Sequence, residues 1–220
     1  MMPWPPALTH RNIVPELLAQ ATPEEAEANL SDLRRLNRYF GGRQTLRSVL
    51  YPLLRPGVRI LDVGAASGDH AAALAQAHVV SIDIAESHLQ GAAGDRVVAD
   101  AFALPFVPGS FDIVMANLFL HHFEDAEIVA LLAQFSGLAR VAVVVNDLER
   151  SRLGWSFLPF TAPLFGWHPI TIHDGTVSVA AGFQPRELSG LFDRAGMRGV
   201  RIRRHRPWFR LSAVWMATEP

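Results

Sequence analysis

The chain has 220 residues, enough for one domain with a sizeable buried core and short for two. Half of the residues are hydrophobic, 19% are charged and the formal net charge is −1, so no overall field is set up to capture nucleic acid or an anionic membrane. Cysteine is absent, which excludes disulfides, thiolate metal sites and cysteine nucleophiles; lysine is absent too, which excludes Schiff-base chemistry and a phosphate-loop lysine.

The first ten residues lack a basic stretch followed by an apolar one, so no signal peptide is expected. No run approaches the length of a membrane span, and the expected location is cytoplasmic. Residues 1–8 read as irregular, and a short helix is expected from Asn12 to Gln20. Thr22 can cap the next helix, with Pro23 at its first position and Glu24 and Glu25 at the positive end of its dipole. Leu30, Leu33, Leu36 and Phe40 then recur at helical spacing, with Arg34, Arg35 and Arg38 on the other side. Gly41-Gly42 ends that helix, and a second one is expected over Arg43–Leu54, stopped by Pro56-Gly57. Residues 1–55 thus read as a helical cap on the domain formed by residues 56–220.

The pattern changes at Val58. Strands are expected over Val58–Val63, Val79–Ile84, Val97–Ala99, Phe111–Asn117 and Val141–Val145, with helices over Asp69–Gln76 and Asp125–Phe135. Continuous apolar strands alternating with helices imply a parallel sheet covered on both faces, and the right-handed crossover rule makes it a doubly wound α/β sheet. The rhythm breaks after Asp147. Residues 148–182 are rich in aromatics and prolines, among them Trp155, Phe157, Pro159, Phe160 and Trp167, and read as an inserted lid or pocket wall. Within it, His173-Asp174-Gly175 reads as a turn. A helix over Pro185–Ala195 and strands over Gly199–Arg204 and Trp208–Ala217 complete the chain.

The richest motif is Ile60-Leu61-Asp62-Val63-Gly64-Ala65-Ala66-Ser67-Gly68-Asp69, between an expected strand and an expected helix. Glycines and small residues there let backbone approach a ligand, and a helix N-terminus offers free N–H groups. Asp83 ends the next strand 19 residues after Gly64, a separation suited to gripping ribose hydroxyls. A nicotinamide-binding domain shares both features. Its fingerprint, however, needs glycine where Ala66 and Asp69 stand, and an acid at the latter position would oppose a pyrophosphate.

With these motifs the sequence resembles the class I S-adenosylmethionine (SAM)-dependent methyltransferases, in particular the small-molecule group typified by ubiquinone and menaquinone biosynthesis. The resemblance is close over about Arg59–Asp147 and looser elsewhere. It implies a Rossmann-like, seven-stranded, mostly parallel sheet, with SAM as cofactor and S-adenosylhomocysteine (SAH) as product. It also implies that Asp62 orients the methionine end, that Gly64, Ala66 and Gly68 form the glycine loop, and that Asp83 with Ile84 meets the ribose. Ala66 departs from the commoner glycine. Asp100 and Ala101 correspond to the residues that meet adenine. Asn117 and Leu118 correspond to the segment beneath the methyl group.

His121 and His122 follow that segment, and an imidazole can take a proton from a phenol or an acidic carbon near neutral pH. Methyl transfer also proceeds by alignment and desolvation alone, because SAM is already activated. Asp147 follows the fifth strand at the ligand-binding edge of the sheet. With Trp155, His173 and Arg38 it makes up the expected acceptor contacts; no metal site is expected. The cluster Arg194, Arg198, Arg201, Arg203, Arg204, Arg206 and Arg210 could meet RNA or an anionic acceptor, but Val200–Arg203 alternates like a strand with one solvated face. The Asn-Pro-Pro-aromatic motif of nucleic-acid amino methyltransferases is replaced by Ala116-Asn117-Leu118-Phe119. The sequence therefore points to methyl transfer onto a small hydrophobic or phenolic acceptor, by O- or C-methylation, with neither nucleic acid nor membrane as partner. Three alternatives stay open: a SAM-binding fold with a pericyclase-like or regulatory role, an NAD-dependent oxidoreductase, and an RNA methyltransferase. The acceptor and the oligomeric state are not encoded in any motif.

Overall fold

A computed structural model describes residues 8–66, 74 and 76–217. Gly68, Asp69 and most of the helix expected over Asp69–Gln76 lie outside the described residues. Seven strands form one sheet: β1 (Arg59–Val63), β2 (His78–Asp83), β3 (Asp95–Val98), β4 (Phe111–Asn117), β5 (Ala139–Leu148), β6 (Arg201–His205) and β7 (Arg210–Met216). Their order is β3-β2-β1-β4-β5-β7-β6, and β7 runs antiparallel to both of its neighbours. The remaining pairings are parallel. The order turns back between β1 and β4, and at such a switch point the carboxyl ends of the strands leave a crevice.

The apolar runs of β4 and β5 are continuous because both faces of the sheet are covered. On one face Leu61, Val114, Val143 and Leu211 pack against α3 (Asp125–Leu138) and α6 (Pro185–Arg194) through Ile128, Phe135 and Phe192. On the other, Ile60, Ile113, Met115 and Val144 meet α2 (Gly42–Leu50) through Leu46, Val49 and Leu50. Each fully buried aliphatic or aromatic side chain contributes about 1.5–3 kcal/mol, so these two layers hold the sheet edge rigid where the site is built.

The N-terminal segment differs from its expectation. Instead of a helix over Asn12–Gln20, only a single 3₁₀ turn forms, at Leu17–Gln20. Its amides Leu17 N and Leu18 N donate to the carboxylate of Asp174. α1 (Pro23–Tyr39) begins with a reciprocal capping box between Thr22 and Glu25. Its most buried residues are Asn29 and Asp32, while Leu30 and Leu33 stay more than a third exposed. The apolar stripe of α1 covers a cavity rather than the sheet. Asp32 explains its own burial, since it accepts from His168 N at 2.8 Å and from Arg35. α2 ends at Leu50 and continues as a 3₁₀ turn over Tyr51–Leu53, close to the expected boundary.

Residues 148–182, read as a lid or pocket wall, contribute to the wall of a cavity and are regularly folded. They fold into two helices, α4 (Arg152–Phe165) and α5 (Pro169–Ala181), despite Pro159 and Pro163 inside the first. His173-Asp174-Gly175 lies within α5 and is not a turn. The glycine has a packing reason: a Cβ at Gly175 would fall 2.2 Å from Leu158 Cδ1 of α4. Of the C-terminal arginines, Arg201 and Arg203 are exposed on β6, as the alternation predicts; Arg204 is exposed as well, on the face of Ile202, but Arg210 on β7 is buried. Among the described residues no helix is long and apolar enough to cross a membrane.

Candidate active site

The carboxyl ends of β1 and β2 form the first half of the site. Gly64 has a φ of 67°, and a Cβ there would lie 2.2 Å from Phe119 Cδ2, so the turn requires glycine both for its backbone and for the ring against it. Asp62 is 1% exposed, and among the described residues neither of its carboxylate oxygens has a hydrogen-bond partner. Burial first, and then the charge of Asp83, push its pKa up to about 8. Asp83 Oδ2 accepts from Ala66 N at 3.1 Å, and Oδ1 accepts from Ala85 N at 3.0 Å and lies 3.1 Å from His88 Nδ1. Oδ2 therefore keeps acceptor capacity.

Beside Asp83 lies an exposed apolar edge. Ile84 is 72% exposed, and Val98, which pairs in register with Asp83, is 55% exposed. Asp100 Oδ1 accepts from Phe102 N at 2.9 Å in a local turn, and Ala101 packs on the core beside it. An orphaned buried carboxylate, a ribose-type acid with a free lone pair and an open apolar edge suit a ligand with a cationic end, a sugar and a flat apolar ring. The residues present therefore fit SAM.

The second half is a cavity of about 430 Å³ above the carboxyl ends of β4 and β5. α1 contributes Leu33 and Leu36, Phe40 follows at its C-cap, α4 contributes Phe157 and Leu158, and Trp208 and Phe209 come from the turn before β7. Leu118 and Phe209, both lining residues, hold left-handed backbone (φ 52° and 51°), as does Ala66 (φ 46°) in the loop after β1. Such positions cost about 1–3 kcal/mol each and collect at functional sites.

The floor is a hydrogen-bonded network. Asn146 Nδ2 donates to Asn117 Oδ1 at 2.6 Å, and Leu118 N donates to Asn146 O. Asp147 is fully buried; Oδ2 accepts from Leu120 N and His121 N, and Oδ1 accepts from Leu148 N and lies 2.7 Å from His121 Nδ1. Burial works to raise the Asp147 pKa, but the charge and hydrogen bond of His121 prevail, and the pKa is lowered. An ionised carboxylate can only accept, so His121 Nδ1 directs its proton at Asp147, and Nε2 is the nitrogen left to exchange a proton on the far side of the ring.

The His122 ring lies 4.1 Å from that of His121, centroid to centroid. Its pKa is lowered, first by desolvation and then by His121. His121, His122 and Glu16 bring ligand atoms within 4.8 Å of one another, a His₂-carboxylate set absent from the sequence reading. Two of the three already have partners, His121 in Asp147 and Glu16 in Ser178.

His121, His122 and Leu118 line the cavity, and Asp147 stands directly behind His121. The other expected acceptor contacts do not meet there. Arg38 is exposed and stacks on Tyr39, since it is Asn37 on α1 and Phe40 at its C-cap that face inward. Trp155 is not a lining residue, because Gly154, Phe157 and Leu158 carry the inward face of α4. His173 pairs with Asp174 on the outer side, while Asp174 itself lines the cavity. Residues not singled out from sequence are Glu16, Asn29, Asn37 and Thr171, while Arg210, read there as one of a basic cluster, also lines the cavity. The two asparagines sit among Leu33, Leu36 and Phe40 at helical spacing, a polar interruption of an apolar stripe that was the available signal.

Comparison with known proteins follows these features. A sequence family described as a methyltransferase domain matches residues 60–141. The 27-O-demethylrifamycin SV methyltransferase of Amycolatopsis mediterranei is 40% identical over 86 residues, 33% of this chain and 32% of that protein. The match thus spans about a third of that relative's length. An uncharacterized methyltransferase of Synechocystis is 29% identical over 163 residues, 67% of this chain and 70% of the relative. In fold, the plantazolicin methyltransferase BpumL, solved with a monoazolic desmethyl analogue and SAH, aligns with a TM-score of 0.68 at 15% identity, covering 92% of this chain and 93% of that one. The magnesium protoporphyrin IX methyltransferase of Synechocystis, solved with SAH, gives 0.58 at 18% identity, covering 89% and 98%.

Proposed function

We propose that this chain, whose residues 60–141 match a methyltransferase domain, is a class I SAM-dependent methyltransferase that transfers a methyl group to a small hydrophobic acceptor through an oxygen or carbon nucleophile placed beside His121. The observation that carries this reading is the His121–Asp147 pair at the floor of an apolar cavity. SAM, when bound, supplies a methyl group already activated by the sulfonium. The protein's own share is to hold the partners and manage a proton.

Asp62 takes the cationic methionine end, Asp83 the ribose, and the Asp100–Ala101 edge the adenine. Gly64 and Ala66 keep the loop close to the ligand, and Asn117 and Leu118 form the wall beneath the reacting methyl. Asp147 fixes His121 with Nδ1–H toward itself, and the free Nε2 receives the acceptor's proton as the nucleophile's bond to carbon forms. Burial and the neighbouring His121 lower the pKa of His122, which favours its uncharged form beside that nitrogen. The apolar walls from α1, α4 and the β7 turn exclude water, which otherwise competes for the activated methyl. A second member of the acceptor set is Asp174 on α5, in place of its neighbour His173. The small-molecule substrates of the plantazolicin, rifamycin and porphyrin enzymes fit the same general class.

The test is incubation with methyl-deuterated SAM and a panel of phenols, naphthols and 1,3-dicarbonyl compounds, read by mass spectrometry. Labelled methyl on at least one acceptor, with SAH formed in equal amount, is the expected outcome. SAM binding without label on any acceptor, or water as the sole acceptor, would remove methyl transfer from the account and leave a SAM-binding role.

A further inference from the structure

Arg210 opens β7 opposite Leu148 of β5, one residue from Asp147. It is 7% exposed and lines the cavity. A buried guanidinium is costly unless its N–H groups and charge are met. Here they are not. Among the described residues Nε and Nη1 have no hydrogen-bond partner, and Nη2 makes a single long contact of 3.5 Å to Asn37 Oδ1. No carboxylate lies within ion-pair distance of it among the described residues. Asp147 is the nearby acid, but its oxygens are committed to three backbone amides and the His121 ring.

The same cavity holds two more buried polar atoms without partners, Asn29 Oδ1 and Thr171 Oγ1. Polar groups orphaned together in one cavity of drug-like size are what a ligand completes. We infer that Arg210 is an acceptor-binding residue that receives a carboxylate, so the acceptor is an apolar molecule with a single carboxylate set away from its methylated nucleophile. Two chemical arguments select that group. A guanidinium matches a planar oxyanion and forms charge-assisted bonds with it. A dianion such as a phosphate monoester would bring more charge into an apolar chamber whose floor already carries ionised Asp147. The acceptor then lies between two polar ends, its nucleophile at His121 and its carboxylate at Arg210.

This inference rests on the methyl-transfer reading of the cavity, and the experiment separates the two. The SAH-saturated chain is titrated calorimetrically with benzoate, 1-naphthoate and biphenyl-4-carboxylate, each paired with its primary amide. At least one carboxylate is expected to bind about tenfold or more tighter than its amide. In Arg210→Met that preference disappears while SAH affinity is unchanged. The melting temperature of the variant is expected to equal or exceed the parent's, since the change removes an uncompensated buried charge. If Arg210→Met does not fold, Arg210→Gln is read in the same way. Failure of SAH itself to bind overturns the methyl-transfer reading; the probe pairs are then compared on the unliganded chain. No carboxylate bound in preference to its amide, or a preference that survives in the variant, overturns this inference and leaves the other standing.

Discussion

His121→Ala is expected to lower kcat for methyl transfer by about 10²–10⁴-fold, the usual contribution of a positioned general base, with SAM affinity unchanged. The reasoning starts from Asp147. Its ionised carboxylate accepts three backbone amides as well as the His121 ring, so losing the ring does not leave a buried charge unmet, and the fold is retained. What is lost is the imidazole nitrogen that Asp147 directs at the cavity floor. Asp147→Asn is expected to fall in the same range, because an amide no longer dictates which ring nitrogen carries the proton. Asp147 also adds a pH signature. Its folded pKa lies below the ordinary value, so the stability it contributes is present above about pH 4 and is lost as pH falls through the folded pKa. Steady-state kinetics on the two variants, with SAM binding measured separately, give the result. Unchanged turnover in His121→Ala would mean that alignment and desolvation suffice and that no base acts.

Asp62→Asn is expected to weaken SAM binding by roughly ten- to hundred-fold, the cost of about 1.5–3 kcal/mol for losing a hydrogen bond to a charged group. The same variant is expected to melt higher than the parent at pH 8. Both effects come from one carboxyl group. Its folded pKa of about 8 stands above the unfolded value of about 4, so its contribution to stability is present below pH 4 and is lost as pH rises toward 8. At pH 7 the empty site holds mostly the protonated acid. A cationic ligand end favours the ionised form, so binding releases a proton and tightens as pH rises to about 8. Calorimetry in buffers of different ionisation enthalpy should show that release for the parent and none for Asp62→Asn. Equal apparent enthalpies for the parent in every buffer would separate Asp62 from the cofactor's cationic end.

The sheet was readable because its strands are nearly pure in character. Phe111–Asn117 is bounded by a Pro-Gly-Ser turn and buried on both faces, and its limits agree with the sequence to the residue. β5 extends beyond the apolar run Val141–Val145 at both ends, since α3 runs to Leu138, the strand begins at once, and Asn146 and Asp147 continue it to Leu148. The segment over 148–182 misled more. Local rules made Pro159, Pro163 and the His173-Asp174-Gly175 triplet signs of irregular chain. Tertiary contact overrode them, since α4 and α5 pack closely enough to need glycine at 175.

Legibility of the site divides in the same way. Asp62, Gly64 and Asp83 sit at fixed offsets from strand ends, so spacing reveals them. The chamber residues Asn29, Thr171 and Arg210 come from α1, α5 and β7, and only the fold brings them together. Arg210 reads in the sequence as one more member of the basic cluster near the C-terminus. Its burial is a consequence of β7 running antiparallel into the centre of the sheet edge, beside β5.

The central claim is most directly tested by calorimetric titration of the purified chain with SAM, SAH and NADH in parallel. Micromolar binding of the two adenosyl ligands at one site per chain, with no heat from NADH, is the predicted result. Binding of NADH without SAM or SAH would contradict it and place the chain with the nicotinamide-dependent oxidoreductases.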